Sequence, residues 1–279
     1  MGALTETKAA CPVCGHASAR ALFVRDGYAI HRCRDCALRF AAPRPSPADL
    51  DAVYAAGYFD SKGWVGDPTS DSAYMTRCWG EVAPLLHRRF PERGRLLDVG
   101  CATGAFIAAA ARDGWSVAGL EYSDAAAARA REAGLDVRAG ILEDEPFAGE
   151  TFDVAGAWHV VEHLIDPVAD LRRIRALTRR GGLLVLETPN DRSIGAKIRG
   201  ERWAQIRPPE HINFFDRRAL ARALGLSAWK IVSARTIYKR DTARRIAGRK
   251  ALYPVARMAA RASEAAGMGG NLRVIAEAL

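Results

Sequence analysis

The segment Leu96-Leu97-Asp98-Val99 runs directly into Gly100-Cys101-Ala102-Thr103-Gly104, and an alanine-rich stretch follows. A short apolar run, a glycine turn and a helix-forming stretch leave the chain little choice. A strand must turn tightly into a helix, with bare backbone open at the turn. From Arg95 onward strand-like and helix-like segments alternate, the pattern of a parallel sheet with helices on both faces. Further strands are expected over 116–120, 152–157, 183–187, 230–234 and 271–276. The fold class is therefore α/β, a doubly wound, Rossmann-like sheet.

The turn reads D-x-G-x-x-x-G, which differs from the G-x-G-x-x-G that cradles a dinucleotide pyrophosphate. An acid ahead of the glycines disfavours phosphate and suits an ammonium group, such as the methionine end of S-adenosylmethionine. The second strand ends in Glu121, a carboxylate about 20 residues past the turn and placed to bind a ribose diol. Ligands of open sheets lie off the carboxyl ends of the strands, so Trp158 and His159, which follow the fourth strand, are expected to face cofactor and substrate.

These residues resemble the class I S-adenosylmethionine-dependent methyltransferases over roughly 96–279. The family's glycine motif matches Asp98, Gly100 and Gly104, with Cys101 inside it and Ala102 where a middle glycine often sits. Its ribose-binding acid matches Glu121, next to Tyr122. Many members carry Asp near the adenine; here Ile141 holds that position, so contact falls to Ile141, Leu142 or Glu143. The resemblance implies a seven-stranded sheet whose last strand is antiparallel, S-adenosylmethionine as cofactor, and Trp158 at the cofactor.

Ahead of this domain, Cys11-Pro12-Val13-Cys14 and Cys33-Arg34-Asp35-Cys36 are spaced C-x2-C-x18-C-x2-C. Two knuckles aiming four thiolates at one ion suit a closed, structural zinc site, with a hairpin over 22–24 and 29–31 between them. A redox dithiol does not come in two matched pairs. The ribbon is read either as a clamp on the enzyme or as a binding module, the clamp being preferred. The expected domains are a zinc ribbon over 1–42, a linker with N-terminal helices and lid over 43–92, and the methyltransferase domain over 93–279. The linker has prolines at 43, 45 and 47, and Ser46 there reads as an N-cap.

His159, Glu162 and His163 fall in one turn after the fourth strand, and His211 lies in a later loop that returns to the same mouth. These four are the catalytic candidates. Small-RNA 2′-O-methyltransferases and ubiquinone-type O-methyltransferases carry a similar acid-x-x-Glu-His arrangement. That resemblance implies a divalent cation gripping the acceptor hydroxyls. His159 in place of the acid lowers the negative charge such a cation needs. Without a cation, His159 or His211 is the natural general base.

The chain of 279 residues carries a formal net charge of +9, concentrated in part between Lys239 and Arg261. A basic helical insertion is expected over about 240–268, broken or kinked at Pro254, with Arg244, Arg245 and Lys250 as candidate contacts to a membrane surface or polymer. No apolar run reaches the ~20 residues of a membrane span, and the first residues lack a secretory pattern, so a cytoplasmic location is the default expectation. The expected acceptor is a hydroxylated small molecule, sugar or glycan, taking the methyl on oxygen, with carbon or nitrogen left open. The alternative is an RNA held by ribbon and basic helices. The sequence does not set the oligomeric state.

Overall fold

A computed structural model describes residues 9–17, 19–54, 70–238 and 253–279. The chain divides into two compact units. One comprises Met1–Pro45, His159–Ala169 and Leu186–Ala276; the other comprises Ser46–Trp158, Asp170–Val185 and Glu277–Leu279.

The unit that begins at Ser46 carries the glycine turn. Helix α1 (Pro47–Tyr54) starts where Ser46 and Asp49 cap each other, the Ser46 amide and hydroxyl each donating to Asp49 Oδ2 at 2.8 Å. Helix α2 (Ser70–Arg89) is the longer of the two N-terminal helices and contains Pro84. Strand β4 (Arg95–Val99) leads into helix α3 (Ala105–Arg112). Strand β5 (Ser116–Glu121) leads into α4 (Asp124–Glu132), and β6 (Val137–Ala139) and β7 (Phe152–Trp158) follow. β4 pairs in parallel with both β5 and β7, and β5 with β6. An aromatic cluster seals α2 onto α3: Trp79 meets the rings of Phe106 at 5.6 Å and Trp115 at 6.2 Å, edge to face.

Helix α5 (Pro167–Leu177) is capped by Asp166, whose Oδ1 accepts from the Val168 and Ala169 amides. Strand β8 (Thr178–Pro189) is much longer than the 183–187 read from its apolar run and takes in polar residues at both ends.

The other unit contains the cysteine ribbon. β1 (Ala19–Arg25) and β2 (Tyr28–Cys33) form the expected hairpin. Strand β3 (Arg39–Ala42) and the two-residue strand β9 (Asn213–Phe214) extend it to a four-stranded sheet, order β1-β2-β3-β9. Ile30, Ala41, Ala196, Trp203, Ile206, Ile212 and Phe214 pack into one core, so ribbon residues are buried among residues far along the chain. α6 (Ile194–Arg199) contributes Ala196 to that core.

Helix α7 (Arg217–Leu226) is capped by Asp216, whose Oδ1 accepts from the Ala219 amide, and ends ahead of Ala228, whose φ of 58° breaks the helix. Strand β10 (Trp229–Ile237) precedes the basic segment, most of which, including Arg244, Arg245 and Lys250, lies outside the described residues, as do residues 55–69 of the expected linker and lid. Helix α8 (Tyr253–Ala265) has Pro254 in its first turn, where a missing amide costs nothing. Strand β11 (Asn271–Ala278) closes a seven-stranded sheet of order β10-β11-β8-β7-β4-β5-β6, with the last strand antiparallel. This is the Rossmann-like methyltransferase arrangement expected. Among the described residues no helix is long and apolar enough to cross a membrane.

Candidate active site

The turn after β4 is built for close approach. Asp98 is buried at the end of β4, and Gly156 on the neighbouring β7 leaves room for it. A Cβ at Gly156 would stand 2.5 Å from Asp98 Oδ1. Gly104, with φ 82°, opens α3 beneath Leu135 Cδ1, which a Cβ there would meet at 2.3 Å. Ala102 also takes a left-handed backbone, φ 49°, so alanine bears strain at the position where glycine is unstrained. Its amide donates to Glu121 Oε2 at 2.8 Å, and the Ser123 amide donates to Glu121 Oε1 at 2.9 Å. One carboxylate thus fastens the glycine turn to the end of β5. Burial pushes the Glu121 carboxyl up, against the pull of these amides.

Around it, Tyr122 donates to Asp51 Oδ1 of α1 at 2.5 Å and packs on Tyr54 at 5.3 Å. Asp51 pushes the Tyr122 phenol up to about 12, so it remains a donor at neutral pH. Cys101 is buried and its thiol is pushed well up by burial. Ile141 is exposed, and Leu142, buried, opens a short 3-10 turn, Leu142–Asp144. Trp158 is buried and packs on Phe106 at 4.8 Å.

The unit with the ribbon holds the four catalytic candidates. His159 has a left-handed φ of 57°, uncommon for histidine, and its amide donates to the Glu187 carbonyl at 2.8 Å. Its Nδ1 lies 3.1 Å from Glu162 Oε1, and its Nε2 lies 3.4 Å from Asn271 Nδ2 and 3.5 Å from Glu187 Oε1. Glu162 Oε2 accepts from the Thr188 hydroxyl at 2.9 Å. Burial alone would raise the Glu162 carboxyl, but His159 holds it below its ordinary range. Glu187 is fully buried and paired with Arg273, 2.7–2.8 Å away, and it accepts from Asn271 at 2.5 Å.

His163 and His211 meet edge to face at 4.7 Å. His163 Nδ1 bonds the Glu210 carbonyl at 2.9 Å and His211 Nδ1 the Gln205 carbonyl at 3.1 Å. Burial lowers the His163 imidazole, and burial with the His163 and Arg207 charges takes His211 well below its usual value, so both rings are neutral at pH 7. Arg207 donates to His211 Nε2 at 2.7 Å and pairs with Glu210 at 3.0 Å. One ligand atom from each of Glu162, His163 and His211 lies within 4.8 Å of the others.

Sequence reasoning missed Glu187, Thr188, Asn271 and Arg273. A signal was there: a lone acid ends the apolar Leu183-Leu184-Val185-Leu186 run, and a lone arginine interrupts Asn271-Leu272-Arg273-Val274-Ile275. Charges inside strands that are otherwise apolar call for a partner on a neighbouring strand.

In the ribbon, Cys11, Cys14, Cys33 and Cys36 converge, all four Sγ atoms lying within 4.8 Å of one another. Sγ separations of 3.5 Å for Cys11–Cys36 and Cys14–Cys33 approach the roughly 3.8 Å edge of a tetrahedron with ~2.3 Å metal–sulfur bonds. The Cys11 thiol is lowered to about 5 by its bond with Cys36, while burial takes Cys14 up to about 11. Sulfurs packed this closely share protons where a cation would replace them, and the donor set suits a zinc ribbon.

Residues 73–234, more than half of the chain, match a family model described as a methyltransferase domain. A ubiquinone biosynthesis O-methyltransferase of Cereibacter sphaeroides is 39% identical over 117 residues, covering 39% of this chain and 47% of that protein. One of the same description from Ruegeria pomeroyi is 37% identical over 125 residues, covering 42% and 50%. The chain thus spans about half the length of the curated relatives it matches. The magnesium protoporphyrin IX methyltransferase of Synechocystis, solved with bound SAH, superposes with a TM-score of 0.57 at 14% identity, covering 82% of this chain and 97% of that one. An S-adenosylmethionine-dependent methyltransferase from Mesorhizobium loti gives 0.51 at 19%, covering 70% and 97%. At these identities the structures speak for the fold.

Proposed function

The chain belongs to the methyltransferase-domain family, and from that premise we propose that it moves the methyl group of S-adenosylmethionine onto a hydroxyl of a small-molecule, sugar or glycan-linked acceptor. The observation that carries the choice of oxygen is His159, an imidazole pinned between two buried carboxylates immediately after β7. The curated relatives' description as O-methyltransferases agrees with it.

In this reading Asp98, Gly100, Cys101, Ala102 and Gly104 receive the methionine end, Glu121 the ribose, and Tyr122, Ile141, Leu142 and Trp158 border the rest. S-adenosylmethionine supplies a methyl carbon on a positively charged sulfur. Held in line, the acceptor oxygen forms the new O–C bond as the C–S bond breaks, and the electron pair stays on sulfur. His159 takes the hydroxyl proton. With Nδ1–H donated to Glu162 and the Asn271 amide bonded to Glu187 at 2.5 Å rather than closely to Nε2, 3.4 Å away, Nε2 carries a lone pair able to take a proton in the neutral ring. Once protonated, that nitrogen faces Glu187, whose charge Arg273 otherwise balances. The site is preorganised for the charge it will hold.

A divalent cation on Glu162, His163 and His211 is the second reading, favoured by their convergence. The Arg207 guanidinium on His211 Nε2 and the carbonyl on Nδ1 leave that ring no lone pair to give. We therefore assign His163 and His211 to hydrogen bonding rather than to a cation. The four cysteines are proposed to hold one structural zinc.

The test is labelled methyl transfer by wild type and by His159→Ala. Label in a hydroxylated small-molecule or glycan fraction, lost in the variant while cofactor affinity persists, supports the reading. Equal transfer by the variant contradicts it, and label in RNA redirects it to nucleic acid.

A further inference from the structure

The ribbon has a task that its four cysteines alone do not reveal. Its third strand does not end in solvent. β3 pairs with β9, Phe40 opposite Asn213, and the Ala41 amide donates to the Ile212 carbonyl at 2.9 Å. On the far side of the same residues, the Ile212 and Asn213 amides both donate to the Glu162 carbonyl, at 2.9 and 3.0 Å. The Asn213 side chain then donates to the Val161 and Leu164 carbonyls at 3.2 and 2.7 Å. Two short strands therefore carry an unbroken line of hydrogen bonds from the ribbon to the backbone of Glu162.

Arg44 makes a second line. It follows β3, and its guanidinium bonds the carbonyls of Leu164 at 2.6 Å, Ile165 at 2.9 Å and Ile212 at 3.2 Å. A cation spent on three carbonyls is unusual, because carbonyls compensate less of its lost hydration than a carboxylate does. Burial lowers Arg44 to about 10, opposed by the charges of Asp166 and of Cys11, itself a ribbon cysteine. Arg39 and Arg32 add buried and half-buried pairs to Asp191.

We propose that Arg44 and Asn213 are positioning residues through which the cysteine ribbon holds the His159–Glu162–His163 loop in shape, so that releasing the ribbon's metal loosens the acceptor side first. This rests on the proposed zinc and on the reading of that loop as catalytic. The bonds involved run from 39–44 through 212–213 to 161–165 and include no residue of the glycine turn. Cofactor affinity is thereby separated from competence.

Hydrogen–deuterium exchange tests it. Stripping the metal with a zinc chelator is expected to speed exchange in 159–166 and 212–213 together with 39–42, by about tenfold, the loss of one or two backbone hydrogen bonds. Affinity for S-adenosylhomocysteine should change little. Arg44→Met and Asn213→Ala, each with a full complement of metal, should loosen 159–166 alone and lower kcat without raising KM for the cofactor. Chelation that loosens only the ribbon strands overturns the proposal, and so does unchanged exchange in 159–166 in both variants. Should chelation unfold the whole chain, the two metal-loaded variants decide. A His159→Ala protein that still transfers methyl sinks the catalytic reading and leaves the exchange result standing.

Discussion

Glu162 and His159, three residues apart, face each other at 3.1 Å across a single turn, and the glutamate's second oxygen is held by Thr188. The carboxylate is buried, so its orientation is set by those two partners and not by water. Replacing it with Gln keeps the shape and removes the charge that favours a protonated His159. Glu162→Gln is expected to lower kcat by about 10²-fold, toward the low end of what general base catalysis supplies, with cofactor affinity nearly unchanged. Steady-state kinetics with isothermal titration of S-adenosylhomocysteine check both halves.

Glu121 is expected to behave in the opposite way. It fastens the Ala102 amide of the glycine turn and the Ser123 amide at once. Hydrogen bonds to a charged group are worth about 1.5–3 kcal/mol. Glu121→Ala should therefore weaken S-adenosylhomocysteine binding by about 10- to 100-fold, measured by the same titration.

The buried pair of Glu187 and Arg273 makes a stability prediction. Arg273→Leu would leave a fully buried carboxylate without its cation, which costs about 3–5 kcal/mol. Glu187→Gln with Arg273→Leu together should recover much of that loss. Denaturant unfolding of the two variants compares them directly.

Stability should also fall with acid in a way that identifies the histidine pair. His163 and His211 are neutral in the fold, with pKa values held below the ordinary 6.5 chiefly by burial. The unfolded chain binds protons there as pH drops through that value, while the fold does not. The contribution is fully present above about pH 6.5 and is lost as pH falls from there toward the folded values. His211→Gln should flatten this part of the stability profile, as read by unfolding midpoints between about pH 7 and pH 5.

The fold was legible because its signals are local. A strand running into glycines at 100 and 104, an acid at 121 and two CxxC pairs each announce themselves within a few residues. So did the N-cap at Ser46, to which the structure adds a reciprocal bond from Asp49. What stayed hidden is long-range. β9 spans only Asn213 and Phe214, too short for any periodicity, yet it joins the ribbon to the Glu162 loop. Asn271 and Arg273 reach Glu187 from more than 80 positions away, and only an unexplained charge inside each apolar strand hinted at the pair. The four candidate histidine and glutamate positions were readable as a group, but not their division of labour. That depends on Arg207 seating itself on His211 Nε2 while His159 lies between carboxylates.

The central claim is methyl transfer to a hydroxyl with His159 as base, and its most direct measurement is transfer of labelled methyl from S-adenosylmethionine to a hydroxylated acceptor fraction by wild type and by His159→Ala. The account predicts label on oxygen for the wild type, and a fall of about 10²- to 10⁴-fold in His159→Ala with the cofactor still bound. Transfer at the wild-type rate by His159→Ala, or label recovered only on carbon or nitrogen, would contradict it.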